Sequence, residues 1–281
     1  MKLQETQETP YGIKPHMERL EGYTYALSYG GGTNSTALLI EIIKRGLPLD
    51  YVVFADVGYE YPETYDFINN HFVKFCMDNN VKFCTVSKFT HGKRETILEY
   101  FHNSYRVPDQ IFRDCTRRHK IEPIHRFYSK QLKTKKIIEY IGIHAGEKQR
   151  VKKSKTEWVI KCYPLYEFGI NQSQCVNIIR EANLPVPPKS GCPNCFAMSK
   201  KQYYELYQKH PDLFDTAIEI EENYLENKKQ RGLSFYYYNH FRGKAQSLKD
   251  LKEEFATVGS LDTFMDEDKQ MDAECEGHCM T

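Results

Sequence analysis

The feature that most constrains this chain is a run of three glycines set between two patterned segments. Tyr23–Tyr29 (YTYALSY) is a short apolar run that reads as a buried strand, and the glycines Gly30, Gly31 and Gly32 end it at once. From Asn34 to Arg45 apolar side chains recur at Ala37, Leu38, Ile40, Ile42 and Ile43, and Lys44, Arg45 and Gly46 close the segment. That is a helix with a cationic last turn and a glycine stop. The stretch SYGGGTNST (28–36) is therefore a strand–turn–helix junction. Glycine lets the backbone turn at positive φ and brings N–H groups close to a phosphate, and the helix N-terminus adds the positive end of its dipole. An ordinary strand–helix turn would need no ligand. Three successive glycines followed by Asn34, Ser35 and Thr36 weigh against that plainer reading.

Strand and helix patterns go on alternating. Strands are expected at Tyr51–Ala55, Val81–Val86 and Ile137–Ile143, with helices from Pro62 to about Met77, at Glu95–Phe101 and at about Arg117–Lys130. This order implies an α/β fold, a doubly wound parallel sheet with helices on both faces. Beyond about residue 165 the pattern becomes mostly helical, at Gln172–Ala182, Lys200–His210, Pro211–Lys228 and Leu248–Phe255, broken by the Pro-rich loop LPVPPKSGCPNC. The organisation read from this is an arm over 1–22, a nucleotide-binding α/β domain over 23–165, and a smaller helical C-terminal region over 166–281 that carries a Cys-x-x-Cys and an acidic Cys/His tail.

Composition narrows the function classes. An apolar fraction of 40% and a charged fraction of 27% over 281 residues describe a globular chain, and no run approaches a membrane span. The N-terminus lacks the apolar core of a secretory signal, so the cytoplasm is the expected location. A net charge of +1 gives no global attraction for nucleic acid, so any such contact must come from local patches. Lys148, Arg150, Lys152, Lys153 and Lys155 form one basic loop, and the aromatic stretch Phe235–Phe241 lies beside Arg242 and Lys244. Both are more simply a solvated face and packing onto the core. Nine cysteines in such a chain read as buried thiols, metal ligands or redox groups rather than a disulfide framework.

The glycine turn is neither a Walker loop nor a GxGxxG fingerprint. It resembles the pyrophosphate loop (PP-loop) of the adenine nucleotide α-hydrolase-like superfamily, Ser-Gly-Gly-x-Asp-Ser, with Gly30–Ser35 in that register. Gly30 stands where the pattern has Ser, and Asn34 where it has Asp; Ser28 is a candidate for the missing hydroxyl. Asp56 follows the second strand, where doubly wound folds place ligand contacts. Its segment (FADVGYEYPETYDFI) is similar to one in phosphoadenylyl-sulfate (PAPS) reductases and DndC-type DNA sulfurtransfer proteins. Arg113-Asp-Cys115-Thr-Arg-Arg-His-Lys120-Ile-Glu-Pro123 resembles a segment of adenylyl-sulfate reductases, with Thr116 in place of a second cysteine. Gly142-Ile-His144-Ala-Gly-Glu147-Lys-Gln-Arg150 resembles a further segment of the same family, with His144 in place of an Arg.

The resemblance implies an adenine nucleotide, ATP with Mg2+, held by Ser28, Gly30, Gly31, Gly32, Thr33, Asn34, Ser35, Thr36, Asp56, Gly142 and His144. It implies catalytic parts for Ser35, Asp56, Lys120, Glu147, Arg150 and Cys275. It also implies a [4Fe–4S] cluster on Cys115, Cys192 and Cys195. A Cys-x-x-Cys turn aims two thiolates at one ion or cluster, so Zn2+ is the alternative, and unliganded thiols are the plain one. Cys162, Cys175, Cys275 and Cys279 are candidates for a fourth ligand. In some related sulfurtransferases of nucleic acids the fourth iron has no protein ligand and carries the sulfur. Cys76 and Cys84 read as core thiols. The tail Glu274-Cys275-Glu276-Gly277-His278-Cys279 resembles the end of sulfonucleotide reductases, although acidic neighbours disfavour a thiolate at Cys275.

Three functions stay open. One is a PP-loop enzyme that adenylylates a substrate with pyrophosphate release for sulfur transfer, DNA or RNA being acceptor candidates and a cysteine desulfurase the donor. Another is a sulfonucleotide reductase using Cys275 with a thioredoxin-type partner. The third is a non-catalytic nucleotide-binding subunit of a modification or defence system. A homo-oligomer is compatible with each.

Overall fold

The computed structural model describes residues 8–109, 112–133, 136–235, 237, 240–241 and 244–257. Its centre is a five-stranded sheet of β1 (Thr24–Tyr29), β2 (Tyr51–Ala55), β3 (Phe83–Val86), β4 (Ile137–Ile141) and β5 (Val159–Cys162). The order across the sheet is β3-β2-β1-β4-β5 and every pairing is parallel. The first four strands lie where the apolar runs predict them. The fifth escapes pattern reading because Lys161 interrupts a run of only four residues at the sheet's edge. Within the segment read as an arm, Glu8–Thr9 and Gly12–Ile13 form a hairpin laid against β5. A Cβ on Gly12 would overlap the Lys161 carbonyl, and Ile13 is fully buried.

Both faces of the sheet are covered, as an all-parallel sheet requires. Tyr25, Leu27 and Tyr29 of β1 point to one face. There they meet α1 (Thr33–Lys44), α2 (62–78) and, further along, α5 (Gln172–Glu181). Tyr29 stacks on Phe72 at 3.7 Å between ring centroids. Ala26 points the other way, towards Ile124, Phe127 and Tyr128 of α4 (114–131). Between α2 and α4 in sequence, α3 (Ile97–Ser104) opens at a Thr96/Glu99 capping box.

The C-terminal helices α6 (Lys200–Lys209), α7 (Pro211–Gln230) and α8 (Leu248–Thr257) have a small core of their own, including Tyr203, Tyr204, Phe214, Leu251 and Phe255. A second cluster joins them to the α/β unit. Val57, Tyr59, Ile97, Tyr100 and Phe101 pack against Ile220 and Tyr224 of α7, and Cys115 and Cys192 border this contact. No described helix is long and apolar enough to cross a membrane. The tail with Cys275, His278 and Cys279 lies outside the described residues.

Candidate functional site

The sheet order reverses at β1, so the carboxyl ends of the paired strands β1 and β4 mark the switch point of this fold class, where a crevice is expected. The glycine loop fills it. Gly31 adopts φ +79, and a Cβ there would meet Thr64 Cγ2 at 2.8 Å. Gly142, at the end of β4, presses on the first turn of α1: an added Cβ would lie 2.9 Å from Ser35 N and 3.0 Å from the Asn34 carbonyl carbon. The helix starts at Gly32, which has no side chain to cap it. Ser35 and Thr36 donate back to the Gly32 carbonyl at 3.1 and 3.0 Å, so neither hydroxyl occupies the first-turn N–H groups. These amides are unused by the helix and available to an anion.

A buried polar network braces the loop from β4. Glu147 accepts from Asn34 Nδ2 at 3.2 Å, from the His144 amide at 3.2 Å and from Arg150. Asn34 in place of Asp is thereby accounted for locally, because a carboxylate at 34 would face the Glu147 carboxylate. His144 accepts from the Gly146 amide at 3.0 Å, closing a capping box on the turn Ala145–Arg150. Arg150 reaches the cavity, while Glu147 and His144 stand behind it. Ser28 lines the same cavity, but its hydroxyl donates to the buried Glu139 at 2.6 Å. The Asp56 carboxylate is engaged elsewhere, by the Gly58 amide at 2.8 Å, Tyr65 OH at 2.8 Å and Arg94, and it does not line the cavity.

That cavity measures about 420 Å³. Its lining includes Gly30, Gly32, Thr33, Asn34 and Ser35 of the loop and also Cys192 and Cys195. A smaller cavity of about 20 Å³ lies beyond them, lined by Cys115, Cys192, Cys195, Thr116 and Asn194. The structure therefore brings the three cysteines of two distant segments to one place. Lys120 borders both cavities and its ammonium pairs with Glu60 at 3.2 Å, both side chains buried. The turn Arg117–Ile121 has π-helical spacing just ahead of Pro123, whose ring removes an amide donor, and it turns His119 and Lys120 inward. Burial pushes the His119 imidazole down to about 4.

Among the described residues no group of three or more His, Cys, Asp or Glu side chains is poised to hold a single metal ion. The donor set, three thiols from two segments beside a buried amide, fits a thiolate-ligated centre in its chemistry. Cys162 and Cys175 are fully buried in the sheet core and line neither cavity; burial pushes the Cys175 thiol up to about 12 and raises Cys162 as well. Cys76 is likewise a core thiol.

Sequence reasoning did not single out the groups that close the cavity. Ser190, from the Pro-rich loop, sits on the glycine turn, 2.7 Å from where a Cβ of Gly32 would be. Met198, Gln202 and His210 come from elements whose approach depends on the packing of the helical region, and Tyr61 from the turn that opens α2. His210 contacts Glu63 at 2.9 Å.

The family described as "Phosphoadenosine phosphosulfate reductase domain" matches residues 24–188, more than half of the chain. The chain belongs to this family. Its matched segment runs from β1 to the Pro-rich loop, so it holds the glycine turn, Cys115 and the Glu147 network, and it stops just short of Cys192. No curated protein matches the chain significantly. Among solved structures it is similar to the U34-tRNA thiolase NcsA from Methanococcus maripaludis with its [4Fe-4S] cluster, at 15% identity, 75% coverage of this chain, 74% of that one and a TM-score of 0.41.

Proposed function

We propose that this member of the family binds ATP, or another adenine nucleotide, with Mg2+ at the glycine loop and couples it to sulfur chemistry at the three cysteines. The observation that carries the reading is that the glycine loop and Cys192 and Cys195 line one and the same cavity. The phosphates rest on the first-turn amides of α1, with Ser35 and Thr33 beside them and Arg150, held by Glu147, supplying positive charge. Lys120 stands between the nucleotide and the cysteines and compensates charge on either side. Cys115, Cys192 and Cys195 would hold a [4Fe–4S] cluster, with Zn2+ as the alternative occupant. When bound, the cluster supplies a site for sulfide or for electrons.

In this reading an acceptor oxygen attacks the α-phosphorus of ATP and pyrophosphate leaves, giving an adenylate; sulfide then displaces AMP. A nucleic acid is the acceptor class proposed, and a cysteine desulfurase the sulfur donor. The test is anaerobic purification with iron, sulfide and zinc analysis, then incubation with ATP and candidate nucleic acids. Iron and sulfide together with pyrophosphate or AMP release support the reading. Neither product, from protein with an intact cluster, overturns it.

The family match favours a second reading, reduction of a sulfonucleotide. Cys275 would attack the sulfur of the bound substrate, displacing the nucleotide through its phosphate oxygen and leaving an S-sulfonate on the cysteine; the dithiol of a thioredoxin-type partner would then release sulfite and become a disulfide. Sulfite formation that is lost in Cys275→Ser would establish it; no sulfite from the unaltered chain would exclude it.

A further inference from the structure

Asn194 lies between the two cysteines of the Cys-x-x-Cys turn. It is fully buried, and neither Oδ1 nor Nδ2 has a hydrogen-bond partner. Burying a carboxamide with both groups unmet is costly, so a partner for it is expected. The turn does not need it. Its backbone is fixed by the Cys195 amide on the Cys192 carbonyl at 3.1 Å, the Met198 amide on the Cys195 carbonyl at 3.1 Å, and Tyr203 OH on that same carbonyl at 2.9 Å. Nor does the neighbouring wall offer a substitute. Ile97, Phe101, Pro108 and Phe196 are apolar, and the remaining lining is Cys115, Cys192, Cys195, Thr116 and Lys120.

A carboxamide brings two N–H donors; the side-chain acceptors lining this cavity are the sulfurs of Cys115, Cys192 and Cys195 and the Thr116 hydroxyl, which is itself 3.9 Å from Cys115 Sγ. We propose that Asn194 Nδ2 donates a hydrogen bond to a sulfur, thiolate or inorganic sulfide, of the centre held by Cys115, Cys192 and Cys195. Asn194 is thus a positioning residue for that centre. The inference rests on the cluster reading given above. Hydrogen bonds to the sulfurs are among the levers that set the potential of an iron–sulfur centre, and a donor favours the reduced, more negative state. Losing one charge-assisted bond shifts the reduction equilibrium on the order of tenfold toward the oxidised form, about 59 mV for one electron.

The experiment uses the full chain reconstituted anaerobically with iron and sulfide, as wild type and as Asn194→Leu, which keeps the shape of the side chain. Redox titration is followed by electron paramagnetic resonance and visible absorption. Equal iron loading with a lower midpoint potential in the variant supports the proposal. Equal loading with an unchanged potential overturns it while leaving the cluster reading intact. A wild type that takes up no iron overturns both. A measurement on the wild type alone guards against a variant that fails to fold. With isotope-labelled asparagine side-chain nitrogen, a hyperfine coupling at the reduced cluster supports the hydrogen bond, and its absence overturns it.

Discussion

The two ends of the cavity are built differently. At the glycine end the chain braces its own charges: Glu147 gathers Asn34, the His144 amide and Arg150, and Gly142 is pressed against the loop backbone. At the cysteine end three thiols and a buried carboxamide with no hydrogen bond surround a small space. The first end is organised before any ligand arrives. The second, on the reading proposed above, is completed by the centre it would hold. Phosphate recognition through backbone amides needs a rigid cradle, whereas a thiolate centre contributes part of its own framework when it binds.

The comparison breaks most sharply at Glu147. Glu147→Gln removes the charge partner of Arg150, and both side chains are nearly inaccessible, at 6% and 7%. Breaking a buried pair by removing one partner typically costs about 3–5 kcal/mol. Urea denaturation is expected to show a loss of this order, and calorimetry a loss of nucleotide binding. A change below about 1 kcal/mol would mean that the glycine end is not braced by this residue.

Gly142→Ala comes next. The new methyl would fall 2.9 Å from Ser35 N and 3.0 Å from the Asn34 carbonyl carbon, which are backbone atoms with little room to yield. Overpacking of this kind costs about 1–3 kcal/mol. The displaced loop should weaken nucleotide binding at least roughly tenfold, about 1.4 kcal/mol. Iron content after reconstitution should stay at the wild-type level, since Gly142 does not border the smaller cavity. Loss of iron in this variant would show that the two ends are not separable.

Much of the glycine end was legible in the sequence, because its signals are local. A strand, three glycines and a helix occupy consecutive residues, and Glu147 and Arg150 follow a strand directly. The cysteine end was legible only as spacing; its convergence depends on how α4 and the Pro-rich loop pack together. Ser190 and His210 carry no local signal, since their place is set by how the helical region packs. β5 was hidden because an edge strand tolerates Lys161 and so loses the apolar run that marks its neighbours. Gly142 is a different case. Its segment was identified, but the reason for glycine there is visible only in the approach of two backbones.

The helical side is where pH should act on stability. Glu221 of α7 is buried and accepts from the Leu248 amide at 2.7 Å, at the start of α8; burial raises its carboxyl from 4.5 to about 7. The folded state therefore holds a proton that the unfolded state releases, and stability falls as pH climbs between those two values. His119 acts in the opposite sense: its folded value lies below 6.5, so stability is lost as pH falls from there towards about 4. In Glu221→Gln the alkaline-side loss should vanish, leaving the variant more stable than wild type above neutral pH by about 1–2 kcal/mol. Parallel denaturation curves for the two proteins across this range would remove Glu221 from the account.

The smallest effect on stability is expected at Gly30, and it sharpens what the two departures from Ser-Gly-Gly-x-Asp-Ser mean. A Cβ at Gly30 meets only Ser35 Oγ, at 4.0 Å, an ordinary contact. Gly30→Ser should change stability by no more than about 0.5 kcal/mol, as a substitution clear of packing does. Asn34→Asp differs, since it would set a second carboxylate about 3.2 Å from Glu147 Oε2 and cost stability unless one of the two takes up a proton. Because Gly30 lines the cavity, the serine hydroxyl would add a donor beside the phosphates and raise nucleotide affinity severalfold by isothermal calorimetry. Unchanged affinity in a stably folded Gly30→Ser protein would move the phosphates away from residue 30. They would then rest on the first-turn amides of α1 alone.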